Sequence, residues 1–355
     1  MIHRREIAAA GLGAFLVAAY MALILASGRV DPATFGRLLL FYTKVSFTLW
    51  AVLGGLSVIG QLIVNSRRSE NEPFLLAFVS RIAVERWQRD RCASLVWPPV
   101  LFATLLASFN AFKQMILPLA GFSWDPFLLA ADRALLLGVD PWRLTHAIFG
   151  SPEATILLDR AYHGWFVPMS VGLIACSWLP GSTFRLRTQY TLSYIGVWIG
   201  IGSVFAFLMP SAGPCFYDQY IGSSNTYDAL LQSLVATEAV SGEPLTALAH
   251  QAILVELQDG NTLTVGGGIS AMPSVHNALA ALFTLAAFKV NRTAGWFVSA
   301  YAAVIWVGSI HLGWHYALDG LVAYVLTGAI WVLCGWLVVF VDVDAKSTQL
   351  TPALA

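Results

Sequence analysis

An all-helical, polytopic membrane bundle is the fold class this sequence predicts, and three observations predict it. Of the 355 residues, 57% are hydrophobic and 11% charged, against roughly a quarter charged in an average soluble domain. Apolar stretches near the length of a bilayer span, about 20 residues, recur along the chain. Lysine and arginine are distributed unevenly over the segments that join those stretches.

Eight apolar stretches read as spans: Ile7–Ala26, Leu38–Val64, Ala93–Leu117, Ala154–Leu179, Leu192–Met209, Ile269–Ala287, Gly295–Ile310 and Leu318–Val341. Arg4 and Arg5 precede the first, as in a signal peptide, but its apolar core is long for one, so an uncleaved span is expected. With the N-terminus inside, the inner flanks hold Arg4, Arg5, Arg67, Arg68, Arg81, Arg86, Arg89, Arg91, Arg185, Arg187, Lys289, Arg292 and Lys346. The outer loops then hold Arg29, Arg37, Arg133 and Arg143. The longest of them, Ser211–Gly268, has no Lys or Arg and six acidic residues. Positive charge stays inside, so both termini are expected in the cytoplasm, in the inner membrane if the host is a bacterium.

Two joining segments look like more than connectors. Phe74–Cys92 has helical apolar spacing with interspersed Arg and Trp87, as an interfacial helix would. Trp124–Trp142 has a Leu-rich middle too short to span. The domain plan is residues 1–92, two helices plus the interfacial segment, and residues 93–345, a six-helix core with a cap at 211–268. Four scattered cysteines make neither a disulfide framework nor a zinc ribbon. Zero net charge gives no case for a nucleic-acid partner.

The chemistry is concentrated at two span ends. Gly266-Gly267-Gly268 makes a tight turn before Pro273-Ser274-Val275-His276. Ser270 is expected to cap the sixth span, with Pro273 in its first turn and His276 one turn in. A helix N-terminus presents free N–H groups and suits a phosphate. His315 and Asp319 are four residues apart, on one face of a helix, so the carboxylate can accept from Nδ1 and leave Nε2 nucleophilic. Asp at membrane depth is expensive without a role. Trp314 and Tyr316 read as interface-belt residues, and His146 and His250 as ordinary loop residues. Both histidine segments fall on the outer side of the charge-derived topology.

These two segments resemble the type 2 phosphatidic acid phosphatase superfamily, in which a Pro-Ser-x-His motif and a later His-x-x-x-Asp motif share one site. The resemblance covers Ala93–Val341. Met209-Pro210-Ser211-Ala212-Gly213-Pro214 is similar to the Pro-rich segment of the inositol phosphorylceramide synthase-like branch. The resemblance implies that His315 attacks phosphorus, Asp319 orients it, and His276 serves as general acid and then base. It implies no metal or other cofactor. It implies a lipid phosphate or phospholipid donor, with water or a lipid or polyol alcohol as acceptor.

The sequence departs from the phosphatase branch. Aligned on Pro214, that branch's Lys and Arg fall at Ala206 and Gly213, and its later Arg falls at Ser309. Candidate phosphate or head-group ligands are therefore Arg160, Lys113, His163, Arg133, His311 and Ser274. Asp159–Arg160 also reads as a structural polar pair, and Lys44 and Lys113 as snorkelling cations. Two rival classes remain open here. One is a metal-dependent hydrolase ligating through His311, His315 and Asp319. The other is a transporter with Lys44, Lys113 and Arg160 along its path.

Overall fold

The structure, a computed structural model, describes residues 2–66, 92–178, 184–222, 225–259 and 263–347. Its principal helices are α1 (Ile2–Ala26), α2 (Pro32–Ser66), α3 (Cys92–Lys113), α4 (Asp125–Leu135), α5 (Pro141–Phe149), α6 (Pro152–His163) and α7 (Phe166–Ala175). There follow α8 (Phe184–Gly196), α9 (Asp228–Ser241), α10 (Thr246–Asp259), α11 (Val275–Val290), α12 (Arg292–His311) and α13 (Ala317–Ser347). A π-helical stretch, Val197–Phe205, continues α8. No strand occurs among the described residues. The expected interfacial segment, Phe74–Cys92, lies outside the described residues except for Cys92.

Among the described residues, five helices are long and apolar enough to cross a membrane: Pro32–Gly60, Leu95–Lys113, Arg185–Leu208, Arg292–His311 and Ala317–Val339. Ala10–Ala26 and Val275–Val290 are apolar but shorter. The bundle turns Phe15, Leu23, Phe297, Val325 and Trp336 outward and buries Leu105, Leu173, Ile195, Ile201, Leu279 and Ile305. Large apolar side chains on both surfaces of a helix are what a lipid-facing bundle requires.

The span expected at Ala154–Leu179 is corrected. It is two helices, α6 and α7, broken at Gly164–Trp165. Pro168 lacks the N–H that the Gly164 carbonyl four residues earlier would accept. The start of the sixth span is corrected too. Its helix begins at Val275, and Ser274, not Ser270, is the cap, accepting from the Asn277 N–H at 3.3 Å.

α11 and α12 form the tightest pair, α13 packs on α11 and α8, and α1 and α2 both lean on α3. The turn between α11 and α12 is a single extended residue, Asn291, whose side chain caps α12 at the Thr293 N–H. α2 is pinned by the Trp50 indole donating to the Leu95 carbonyl at 2.8 Å and by Trp178 donating to the Trp50 carbonyl at 3.1 Å.

Gly320 gives this packing a sharp test. A Cβ there would collide with the Trp306 ring, whose indole N–H is committed to the Ala317 carbonyl. A methyl group added at Gly328, on the same helix, would meet nothing within 4 Å. Gly320→Ala should therefore cost about 1–3 kcal/mol by overpacking. Gly328→Ala should be neutral or gain about 0.5–1 kcal/mol from lost backbone freedom. Thermal melts of the purified protein in detergent compare the two directly.

Candidate active site

The glycine turn is held by the end of α3. Asn110 donates to the Thr264 carbonyl at 2.8 Å and accepts from the Gly266 N–H at 2.9 Å. Gln114 donates to the same carbonyl and accepts from the Thr264 N–H. Gly268 has φ +85°, and a Cβ there would sit 2.9 Å from the backbone of Lys113 and Gln114. Only glycine lets the turn approach α3 this closely. Ser211 then takes the Ala271 and Met272 N–H groups, at 3.0 and 2.9 Å. These contacts deliver His276 as the second residue of α11.

The other histidine is not on a helix. α12 ends at His311, and the chain turns through Gly313 at φ +76°. His311 and His315 therefore do not lie on one continuous helix. His315 precedes α13, and Asp319 is the third residue of that helix. One oxygen of Asp319 accepts both the Tyr316 N–H at 3.0 Å and His315 Nδ1 at 3.2 Å. The expected His–Asp contact thus exists, made by a helix-capping turn and not by helical stacking. A carboxylate only accepts, so Nδ1 carries the hydrogen and Nε2 the lone pair.

The two imidazoles meet with centroids 5.7 Å apart. Trp165 packs on the His276 ring at 4.2 Å and Tyr162 at 5.0 Å. His315 is 5% exposed and Asp319 is fully buried. Two cavities, of about 340 and 370 Å³, both reach His276 and His315. Lys113 lines both, and among the described residues it is the only Lys or Arg that does. One cavity opens toward His163 and His250 on α6 and α10, the other toward the rings of α2, α3 and α7.

Among the ligand candidates, Lys113 and His163 line a cavity. The other candidates line neither cavity. Arg160 is exposed and pairs with Glu243. Arg133 pairs with Asp140. Ser274 is committed to capping α11. His311 is fully buried, stacks on His146 at 4.0 Å and bonds Thr155 at 3.0 Å. With that ring turned away, His311, His315 and Asp319 do not converge, and no described cluster of His, Cys, Asp or Glu fits a metal ion. Burial holds the His146 imidazole below its ordinary pKa. Tyr316, expected at the interface belt, is 1% exposed and donates to Asp125. The cations missing at 213 and 309 have a physical reason. A Cβ at Gly213 would lie 2.6 Å from the Trp314 carbonyl, and Ser309 is fully buried beside Asn277.

What sequence reading missed is α4. Asp125 accepts the Ala212 and Gly213 N–H groups at 2.8 and 2.9 Å and the Tyr316 hydroxyl at 2.9 Å. Asp132 accepts the Ala317 and Leu318 N–H groups at 2.7 and 3.0 Å. Two helical turns separate these carboxylates, so one face of α4 anchors both the Pro-rich loop and the start of α13. That seven-residue spacing was the available signal. Burial raises both carboxyls, Asp132 to about 6, against the pull of the N–H groups.

A membrane helical bundle that brings two histidines and a buried aspartate to a pair of cavities beside one lysine has the outline of a phosphate-ester enzyme. Residues 126–333, more than half of the chain, match the sequence profile of the PAP2 superfamily, and the chain belongs to that family. No curated protein and no solved structure matches it. Family membership makes it a phosphatase-like membrane enzyme of the lipid phosphoesterase kind.

The α4 anchors can be tested apart from the histidines. Asp125→Ala strands three buried donors, at about 1–3 kcal/mol each, so a large drop in Tm is expected. For Asp132, burial outweighs the hydrogen bonds, and the folded-state carboxyl binds its proton more tightly than the unfolded one. Its contribution to stability is therefore full below pH 3.8 and is lost as pH rises through about 6. Wild-type Tm should fall relative to Asp132→Asn across that window. A difference that stays flat from pH 4 to 7 would contradict this.

Proposed function

We propose that this chain cleaves a lipid phosphate ester through a phosphohistidine on His315 and passes the phospho group to an alcohol or to water. His315 Nε2 attacks phosphorus while the bond to the leaving oxygen breaks, and protonated His276 gives that oxygen its proton. The acceptor hydroxyl then attacks phosphorus, His276 takes its proton, and the N–P bond breaks. Asp319 fixes the tautomer of His315 and stabilises the positive charge it gains. The observation that carries this reading is the 5.7 Å approach of two imidazoles from distant segments, one of them bonded to a buried carboxylate.

Charge on the transferring group needs donors that are in place beforehand. Lys113, beside the glycine turn, is the cation best situated for it, with His163 at the mouth. The absence of side-chain cations at 206, 213 and 309 supports the synthase-like branch, and with it transfer to an alcohol, over plain phosphatidate hydrolysis. The loop-charge asymmetry supports a site on the outer face, with both termini in the cytoplasm.

Brief incubation with a head-group-labelled phospholipid, quenched in base, should leave label on His315, read by mass spectrometry. His315→Ala should abolish both adduct and turnover, and His276→Ala should slow release of the leaving alcohol. Normal turnover by His315→Ala ends this mechanism. Lys113→Met should lower kcat/KM by about 10²–10³, the usual worth of one such donor. Lys113→Arg should recover part of that loss, and no loss in Lys113→Met would remove the lysine from the site.

A further inference from the structure

The second cavity points to where the hydrophobic part of the substrate goes. It shares Lys113, His276 and His315 with the first, so it opens on the same reacting centre. Away from those residues its walls are mostly apolar, with Asn110, Ser170 and Ser270 as polar members. α2 contributes Phe41, Tyr42 and Val45, α3 contributes Phe102 and Leu106, and α7 contributes Met169. α2 and α3 are both among the helices long and apolar enough to cross a membrane. Its volume of about 370 Å³ is within the usual range for a ligand site.

The construction of its wall matters more than its size. At residues 50–54, α2 is locked to the bundle: the Trp50 and Trp178 indoles both donate to backbone carbonyls across the helix contact, and Gly54 lies against the Trp178 ring. Two to three turns away, at residues 41–45, the same helix stands across a gap from Phe102, Leu106 and Met169. Both α2 and α3 precede the segment that matches the family, which begins at residue 126. The two histidines belong to the shared segment, as does Met169, whereas the α2 and α3 parts of this wall are supplied from outside it.

Resting on the phosphate-ester reading above, we infer that α2 and α3 form a tail-binding site, which holds a hydrocarbon chain of the phosphate ester and sets the chain the enzyme accepts. A chain lying here leaves its phosphate at Lys113 and the histidine pair. It also leaves the His163 and His250 cavity open for the acceptor. Ordinary bilayer lipid is the alternative occupant, and it would have no need of the phosphate.

Photolabelling separates these outcomes without relying on turnover. The probes are a diacyl phosphatidate with a mid-chain diazirine and the matching phosphate-free diacylglycerol, each added to the purified full chain in nanodiscs. Phosphatidate should label Tyr42, Phe102 or Met169 about tenfold more than the diacylglycerol does, a difference of about 1.4 kcal/mol. Labelling should persist in His315→Ala, which removes the nucleophile but not the cavity. Val45→Trp, which fills the space, should lose those adducts, and Val45→Phe should lose them for long chains more than for short ones. Equal labelling by both probes, or adducts confined to outward residues such as Phe297 and Trp336, would overturn the tail site. Persistence of labelling alongside normal turnover by His315→Ala would instead sink the mechanism and leave the tail site standing.

Discussion

Four buried aspartates, each accepting backbone N–H groups, hold the site end of this bundle together. Asp125 takes two from the Pro-rich loop, and Asp132 takes two from the start of α13. Asp159 takes the N–H groups of Thr246 and Ala247 at the start of α10, and Asp319 takes that of Tyr316. A hydrogen bond to a charged group contributes about 1.5–3 kcal/mol, and a buried donor left unpaired costs a similar amount. Buried N–H groups in irregular chain need partners, and these carboxylates supply them.

The approach of the two imidazoles rests on those anchors. α4 carries two of the four, and through Tyr316 and Ala317 it fixes the residues that follow His315 and hold its turn in place. On the opposite side, the Ser211 backbone and hydroxyl hold Ala271 and Met272, just ahead of His276. One Pro-rich loop is thus bonded to α4 and to the glycine-turn segment. Displacing it would disturb the segments that lead to both histidines, so the spacing of the two rings depends on the integrity of α4.

The same dependence explains the departures from the phosphatase pattern. Where that branch has an arginine, Gly213 has a positive φ, its N–H is taken by Asp125, and the Trp314 carbonyl occupies the space a side chain needs. The backbone geometry that secures the loop excludes the cation. On the proposed phosphate-ester reading, a positive charge would have to come from elsewhere, and Lys113 lines the cavities beside the histidines from α3, ahead of the segment that matches the family.

The membrane class and the two histidine motifs, and with them the family, were legible in the amino-acid sequence. These are properties of composition and of short spacing, and both survive without knowledge of contacts. The His315–Asp319 bond was legible too, because a separation of four is close enough to meet by more than one local geometry. Which cations reach the site is a matter of the folded arrangement. Arg160, Arg133 and Lys113 are equally visible as charges in the sequence, yet of these Lys113 alone lines the cavities beside the histidines, while Arg160 pairs with Glu243 and Arg133 with Asp140. Folding also breaks the span expected at Ala154–Leu179 beside Trp165, which puts that ring on His276. The seven-residue spacing of Asp125 and Asp132 puts both on one helix face, but what they bind emerges only in three dimensions. Apart from the Tyr316 hydroxyl on Asp125, their partners are backbone N–H groups about 90 and 185 residues away, and a backbone donor carries no signature in the sequence.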